Sequence, residues 1–535
     1  MPPHHPGPAP TAAPLPDTFA RLWSATATAH ADSPFLLFMD PDGTVTRWSY
    51  GEFAEVVACV QQTLEAAGVT VGSAVHLCLR NSPAFVALWL AAARLGAWIV
   101  PVDPESTARD IADHVSRVAP ALGVCARTRS AIYREGAAGT PVIELEETAA
   151  DLAPGGPLLA RTAEPGTDAR PRPEDRLAVM FTSGSTSRPK GVKLTQANYA
   201  QVGLPMARAA GLQREHRWFV SLPLFHANAQ YYCFASAIAV GASVALASGF
   251  SAGRWLEQCR SLEATHTSLF AAPIRMILAR TPEDAKPLEL RHAWFAQPLS
   301  TDQYARFTRL IGCAPRQLYG MTETVAAVTA DAATADADGT SRPETIGRPL
   351  PGRSTVLLDP ATLAEAAPGS PGVIAVAGEP GVDLFEGYLD DPATTARTLI
   401  RGEDGSRLLL TGDLASADED GRLRFVGRTD DVIKVAGENV SLAEVETTVA
   451  EAPGVQEAAV IAVRDEIRDT VPEAYIVPAD PDLPPSGEEL DAWAARNLTP
   501  AARPRAWHII DALPRTSVGK IRRFLVGSPQ ATGTR

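Results

Sequence analysis

The sequence predicts an α/β protein, with a large N-terminal domain of helix-flanked sheets plus a strand-rich subdomain and a small α+β C-terminal domain. Three observations carry this reading. Residues 18–130 alternate strand and helix patterns, short strands and turns dominate from Gly369, and the pattern resets after Gly427.

Taken in order, Phe53, Val56, Val57, Val60 and Leu64 fall on one helical stripe, and Gly68 is a stop signal. Residues 75–79 are an apolar run of strand length. The apolar run 84–100 contains Arg94 and Gly96. A membrane span needs about 20 apolar residues with few charges, so this run reads as a buried helix from Pro83 followed by a strand at 97–102. Residues 152–175, rich in Pro, Gly, Ala and charge, read as a linker or loop, and 329–342 as a second soft stretch. Strands are predicted at 372–376, 408–411 and 423–426. Beyond these come a strand at 432–435, a helix at 442–451, and strands at 458–463 and 473–477, with a domain boundary near Asp430. Residues 1–17 and 527–535 read as disordered tails.

The chain has 535 residues, and 48 Lys and Arg against 62 Asp and Glu give a net charge of −14. That balance argues against a nucleic-acid partner, which needs basic surface. A hydrophobic share of 45% excludes wholesale disorder. Cys59, Cys78, Cys125, Cys233, Cys259 and Cys313 form no C-x-x-C pair. Their spread disfavours a disulfide framework or zinc site and fits a reducing, cytoplasmic compartment. Residues 1–16 lack the charged start and apolar stretch of an export signal. No feature specifies an oligomeric state.

A buried strand at 177–181 runs into Thr182-Ser183-Gly184-Ser185-Thr186-Ser187-Arg188-Pro189-Lys190-Gly191. Small residues let such a backbone bend until N–H groups and hydroxyls converge on one anion. Arg188 and Lys190 add charge for phosphate oxygens. It is not a Walker loop, because Pro189 precedes Lys190 and Gly191 follows it.

This segment resembles the signature loop of the adenylate-forming superfamily of acyl-CoA synthetases, peptide-synthetase adenylation domains and luciferases. Further segments resemble that family's motifs in the same order. They are Tyr319-Gly320-Met321-Thr322-Glu323-Thr324, Thr411-Gly412-Asp413, Gly427-Arg428-Thr429-Asp430-Asp431 and Leu513-Pro514-Arg515-Thr516-Ser517-Val518-Gly519-Lys520-Ile521. Thr186-Ser187-Arg188-Pro189-Lys190, Gly437-Glu438-Asn439-Val440-Ser441 and Asp465-Glu466-Ile467-Arg468-Asp469 are most similar to bacterial crotonobetaine/carnitine–CoA ligases.

The resemblance implies an AMP-binding domain over 18–428, a hinge at 429–431 centred on Asp430, and a mobile C-terminal domain over 432–526. It implies an AMP-forming acid–thiol ligase that uses ATP, Mg²⁺ and coenzyme A on a small-molecule carboxylic acid. By that likeness Thr182, Ser183, Gly184, Ser185, Thr186 and Lys190 would hold the β- and γ-phosphates. Thr322 would bond the α-phosphate, and Glu323 would ligate Mg²⁺. Tyr319, between Leu318 and Gly320, would stack on adenine. Asp413 would accept from the ribose hydroxyls, and Arg428 would contact ribose or phosphate. Lys520 would reach the α-phosphate and the substrate carboxylate. The loop at Gly437 would line the pantetheine tunnel. His226 would gate the carboxylate end, with Asn228, Tyr231 and Tyr232 along the approach and Phe270, Ala272 and Pro273 on another wall. A pocket of that make-up reads as one for a medium-sized, mostly apolar acid.

Departures from the pattern qualify this. Trp294-Phe295-Ala296-Gln297-Pro298-Leu299 stands where relatives commonly have Gly-Gly-Ala-Pro-Leu beside adenine and substrate. The Phe295 ring either crowds that site or points into the core. Ser187 replaces Gly, Gln196 His, Ala415 Gly, Ala436 Gly and Arg503 Lys. Two other readings stay open at this point: a ligase that only thioesterifies a supplied acyl-adenylate, and an adenylation enzyme that loads a carrier protein.

Overall fold

The helix Pro83–Leu95 shows how the N-terminal part is built. Ser82 caps it by accepting from the Phe85 N–H, Pro83 opens it, and Gly96 closes it at φ +73°. Every side chain in it except Arg94 is buried. A helix apolar on all sides has to lie between two layers, and this one does. Its core holds Leu36, Phe38, Trp218, Val244 and Trp294 from one sheet and Val75, Leu77, Ile99 and Ala178 from another.

The computed structural model describes residues 16–159, 169–182, 189–331, 344–402, 404–435, 438–465, 469–515 and 521–527. Among them the strands form one nine-stranded, one seven-stranded and two five-stranded sheets. In the nine-stranded sheet Arg217–Val220, Ser243–Ala247, His266–Phe270, His292–Ala296 and Arg316–Tyr319 are parallel to their neighbours in this group. In the seven-stranded sheet Ala74–Cys78, Trp98–Pro101, Leu122–Ala126 and Val142–Leu145 are parallel. There Arg176–Thr182 turns back as the antiparallel strand Lys190–Thr195, which also pairs with Gly387–Tyr388. The strand-rich part comprises Ser354–Leu358, Gly372–Ala377, Leu399–Arg401, Arg407–Ala417 and Leu423–Arg428.

The expected α/β class is the observed one. The helix Tyr50–Ala66 buries Phe53, Val57, Val60 and Leu64 as its stripe requires. One local expectation is corrected. Thr329–Ala330 is a strand rather than soft chain, and Asp331 beside it pairs in the interior with Arg422 at 3.1 Å. Residues 332–343 lie outside the described residues. In the stretch read as a linker, Leu158 is fully buried and its carbonyl accepts from Thr63 Oγ1 at 2.8 Å. The helix Gly487–Asn497 and the strand Trp507–Ile509 were not anticipated, although Ser486 and Glu489 form a capping box. Of the two tails, 1–15 and 528–535 lie outside the described residues.

After Arg428 the chain passes through Thr429–Asp431 into Val432–Val435, which belongs to a different five-stranded sheet with its own core. Among the described residues, polar contacts join this last part to the rest. Ser441 Oγ donates to the Val426 carbonyl at 2.8 Å. Glu457 lies 2.7 Å from Arg515 and 4.0 Å from Arg275 on the helix Ala271–Arg280.

Candidate active site

Three parallel strands end side by side, carrying Phe270, Ala296 and Tyr319 at their C-terminal ends. Ligands of open α/β sheets bind beyond such ends. The turn that follows Tyr319 holds Thr322–Thr324. Its Glu323 is buried, and Oε1 accepts from the Tyr388 hydroxyl at 2.9 Å. Burial pushes the Glu323 carboxyl up, while the Tyr388 hydroxyl, Lys190 and Arg428 pull it back. Lys190 Nζ lies 5.3 Å from the centroid of the Tyr388 ring.

The turn is strained and braced. Val325 adopts φ +62°, ψ −79°, a γ-turn conformation that a β-branched residue rarely takes. Arg353, 7% exposed at its side chain, donates to the carbonyls of Thr324, Ala326 at 3.2 Å and Asp383 at 3.0 Å. A Cβ on Gly320 would stand 2.8 Å from the Tyr232 hydroxyl and 3.1 Å from Ala327 Cα, so only glycine fits there.

A second hydrogen-bonded set adjoins the turn. Tyr319 donates to Asp413 Oδ2 at 2.7 Å, and Arg428 Nε lies 3.1 Å from Asp413 Oδ1. Asp413 and Arg428 face each other across paired strands, and Gly412 before Asp413 takes φ +74°. Thr411 Oγ1 accepts from the Asp413 N–H at 3.1 Å, and Thr429 Oγ1 donates to the Gly412 carbonyl at 3.1 Å. Burial and the Asp413 charge together push the Tyr319 phenol up, so it stays a donor.

On the substrate side, the Phe225 and His226 rings lie with centroids 4.5 Å apart, tilted by 41°. Asn81 holds this segment, accepting from the Leu224 N–H at 2.8 Å and donating to the Leu222 carbonyl at 3.0 Å. Asn228–Ala235 forms a π-helix, a form common at functional sites. Asn228 Oδ1 is buried and has no hydrogen-bond partner among the described residues. Tyr231 and Tyr232 do not line the approach as expected. Tyr231 is fully buried against Tyr199, 5.2 Å away, and the Tyr232 hydroxyl sits beneath Gly320. Phe270 is half-buried at the end of its strand, whereas Phe295 is corrected: of its two orientations it takes the inward one, packing in the second core near Tyr304. Leu318 also points into the core, so only its backbone faces the site. Ala296 and Gln297 are half-buried, Pro298 is exposed, and Gln297 holds φ +75°.

Thr182 pairs with Lys190 across the hairpin that carries the loop. Ser183, Gly184, Ser185, Thr186, Ser187 and Arg188 lie outside the described residues, as do Ala436, Gly437 and Lys520. Asp430 falls in the turn Thr429–Asp431. Two substituted positions are structural. Gln196 is buried, donating to the Ala93 carbonyl and accepting from the Ala20 N–H, and Arg503 donates to the Leu498 carbonyl. Tyr388, Arg353 and Asn81 escaped the sequence reading, for none lies in a local pattern that signals a ligand.

A divalent cation fits at Glu323. One carboxylate oxygen accepts from the Tyr388 hydroxyl, and the group also accepts from its own backbone N–H, so it stands ready as an anionic oxygen donor. Among the described residues no group of three or more His, Cys, Asp or Glu could hold a metal ion. Further ligands would come from phosphate and water, the usual arrangement for Mg²⁺.

Comparison with known proteins agrees with this geometry. A family model described as AMP-binding enzyme matches residues 23–389, and one for the AMP-binding enzyme C-terminal domain matches 444–520. The chain is 29% identical over 516 residues to a crotonobetaine/carnitine–CoA ligase of Salmonella arizonae, covering 94% of this chain and 97% of the relative. The corresponding ligase of Proteus mirabilis gives 29% over 517 residues, with the same coverage. An ATP-bound RpMatB-BxBclM chimera superposes with a TM-score of 0.83 at 25% identity, covering 95% of this chain and 98% of the chimera. Among the described residues no helix is long and apolar enough to cross a membrane. Matched over most of its length, the chain belongs to the AMP-binding enzyme family.

Proposed function

We propose that the chain is an AMP-forming acid–CoA ligase for a small-molecule carboxylic acid. The observation that carries this is the convergence, at the strand ends, of Lys190, Tyr388 and Glu323 with the bonded set Tyr319, Asp413 and Arg428. One set offers a cation and a metal-binding carboxylate, as phosphoryl chemistry needs. The other offers an acceptor pair and a guanidinium suited to a ribose and its phosphate.

The first half-reaction joins the acid's carboxylate to the α-phosphorus of ATP and releases pyrophosphate. In the second, the CoA thiol attacks the acyl carbon and AMP leaves. Lys190 neutralises phosphate oxygens, and the Thr322 hydroxyl donates to the α-phosphate. Glu323 would hold Mg²⁺, which would supply charge neutralisation to phosphate oxygens. Asp413 and Arg428 orient the ribose. Lys520, placed by its motif alone, bridges the acid and the α-phosphate, and Gly437 lies on the CoA side. The 429–431 segment is the hinge between the halves of the reaction.

Phe295 motivated the thioesterifying-only alternative. Its ring packs in the core, so that motive is gone. We assign the acyl pocket, bounded by His226, Asn228 and Phe270, to a medium-sized acid with an apolar body. A cytoplasmic setting is consistent with six free cysteines.

The test is mass spectrometry of purified enzyme with Mg²⁺, CoA and a panel of acids that includes crotonobetaine and carnitine. Each acid is offered with ATP and, separately, as its acyl-adenylate. Acyl-CoA and AMP from ATP support the complete ligase. Acyl-CoA from the adenylate alone would establish the half-enzyme, and product on a carrier protein but not on CoA would establish the loading enzyme.

A further inference from the structure

Lys190 and Glu323 come from distant parts of the chain and meet in a buried site. Opposite charges in a low-dielectric setting attract strongly. A direct pair would occupy the lone pairs and protons that a metal–phosphate ligand requires. Among the described residues these two do not form an ion pair within 4.0 Å. Tyr388 stands between them. Its hydroxyl donates to Glu323 Oε1 at 2.9 Å, and its ring offers its face to Lys190 Nζ at 5.3 Å. A phenol is suited to both neighbours, with an O–H donor for the anion and a negative π face for the cation.

The backbone fixes Tyr388 against both elements. Phe385 N–H donates to the Glu323 carbonyl at 2.9 Å, and Leu389 N–H donates to the Gly191 carbonyl at 2.7 Å. Between them Gly387 and Tyr388 pair with Lys193 and Val192. The Tyr388 N–H donates to Thr395 Oγ1 at 2.9 Å, and the Phe385 ring packs 4.8 Å away. One short segment is thus bonded to the turn that carries Glu323 and to the strand that begins at Lys190.

We infer that Tyr388 is a positioning residue for the metal–phosphate site: it fixes one oxygen of Glu323 so that the other faces Mg²⁺, and holds Lys190 apart from that carboxylate. This rests on the proposed role of Glu323 as the metal-binding carboxylate. Residues that orient a metal ligand change metal affinity about 10–100-fold when removed.

The test reads binding rather than turnover. ATP is titrated calorimetrically into wild type, Y388F and E323Q without acid or CoA, over a series of Mg²⁺ concentrations and in EDTA. Y388F keeps the ring and loses the hydroxyl. It should raise the Mg²⁺ concentration that half-enhances ATP binding about ten-fold, leave ATP affinity in EDTA within about two-fold, and melt close to wild type. E323Q should shift the Mg²⁺ midpoint at least as far. A shift in E323Q with none in Y388F overturns the inference and leaves the Glu323 assignment standing. No shift in either overturns both. Equal weakening of ATP in EDTA and in Mg²⁺ by Y388F overturns it as well, because the hydroxyl would then act on the phosphate pocket as a whole. If Y388F does not fold, Y388L, which has no donor to offer Glu323, should shift the Mg²⁺ midpoint at least as far.

Discussion

Mild acid should destabilise the N-terminal domain, because five of its histidines, His76, His114, His216, His266 and His292, are buried and held towards the neutral form. His76 Nδ1 lies 2.7 Å from the Tyr133 hydroxyl, and His114 stacks on Phe181 at 4.3 Å. His266 lies 2.8 Å from Thr265 Oγ1 and 3.2 Å from the Ala210 carbonyl. Burial lowers all three from 6.5, His76 and His266 to about 3 and His114 to about 4. His114 adds to the lowering at His76, and His216 to that at His266, while Asp113 and Asp110 partly restore His114. Well above pH 6.5 these residues are neutral in both states and do not alter stability. Below it the unfolded chain takes up protons that the folded chain refuses, and stability falls until the folded values are reached. By pH 5 each of His76, His114 and His266 has passed through about 1.5 pH units of that slope, worth ~2 kcal/mol, so these three give about 6 kcal/mol, and His292 and His216, lowered by burial as well, add to it. Glu323 and Glu446 act in the opposite direction. Burial raises their carboxyls, so they take protons first in the folded state. A total of this size rivals the whole stability of an ordinary domain, about 5–15 kcal/mol. The assay is urea unfolding at pH 7.5 and pH 5 at constant ionic strength, read from the buried Trp89, Trp218, Trp255 and Trp294. His266→Gln, whose amide can serve the same two partners, should lose about a quarter or less of the pH difference. A difference under about 1 kcal/mol in wild type, or one undiminished in His266→Gln, would refute the argument.

Other substitutions follow from the site. Arg353→Met leaves three backbone carbonyls without their charged donor, and should cost about 3 kcal/mol or more and lower kcat/KM well beyond the loss in Arg353→Lys. Chemical denaturation and steady-state kinetics check both. Gln297→Gly relieves a left-handed backbone and should raise stability by about 0.5 kcal/mol, measured by denaturant midpoint. Arg428→Gln removes the partner of Asp413 at 3.1 Å, so KM for ATP should rise about ten-fold. Its half-exposed side chain predicts less than about 1 kcal/mol of lost stability.

Periodic elements were legible in the sequence because their signal is local. The buried helix Pro83–Leu95 announces itself by its apolar run and by Gly96, and Val432–Val435 by a short apolar strand after a turn. Phe295 was legible in principle. Along His292–Ala296, Trp294 enters one core while Ala293 and Phe295 enter the other, as strand alternation demands. Tyr231 and Tyr232 were misplaced because the π-helix has neither period on which such reasoning relies. Tyr388 and Arg353 act across 65 and 29 residues of chain, on Glu323 and Thr324. Partners at that separation follow only from topology. The motifs identified the carboxylate but not the side chain that orients it.

The π-helix Asn228–Ala235 gives the acyl pocket an unusual route to change. Its wide turns hold one more residue per hydrogen-bonded ring than an α-helix does. Loss of a single residue within it would let the segment tighten into an ordinary α-helix. The end anchored where Ser236 Oγ accepts from Trp218 Nε1 would stay in place. Because the wide turns absorb the extra residue, His226 and the chain upstream would keep their place, while side chains within the segment, Asn228 among them, would be re-aimed. Relatives that handle differently shaped acids should therefore differ here in chain length as well as in side chains. One codon gained or lost would re-aim one wall of the pocket in a single evolutionary step.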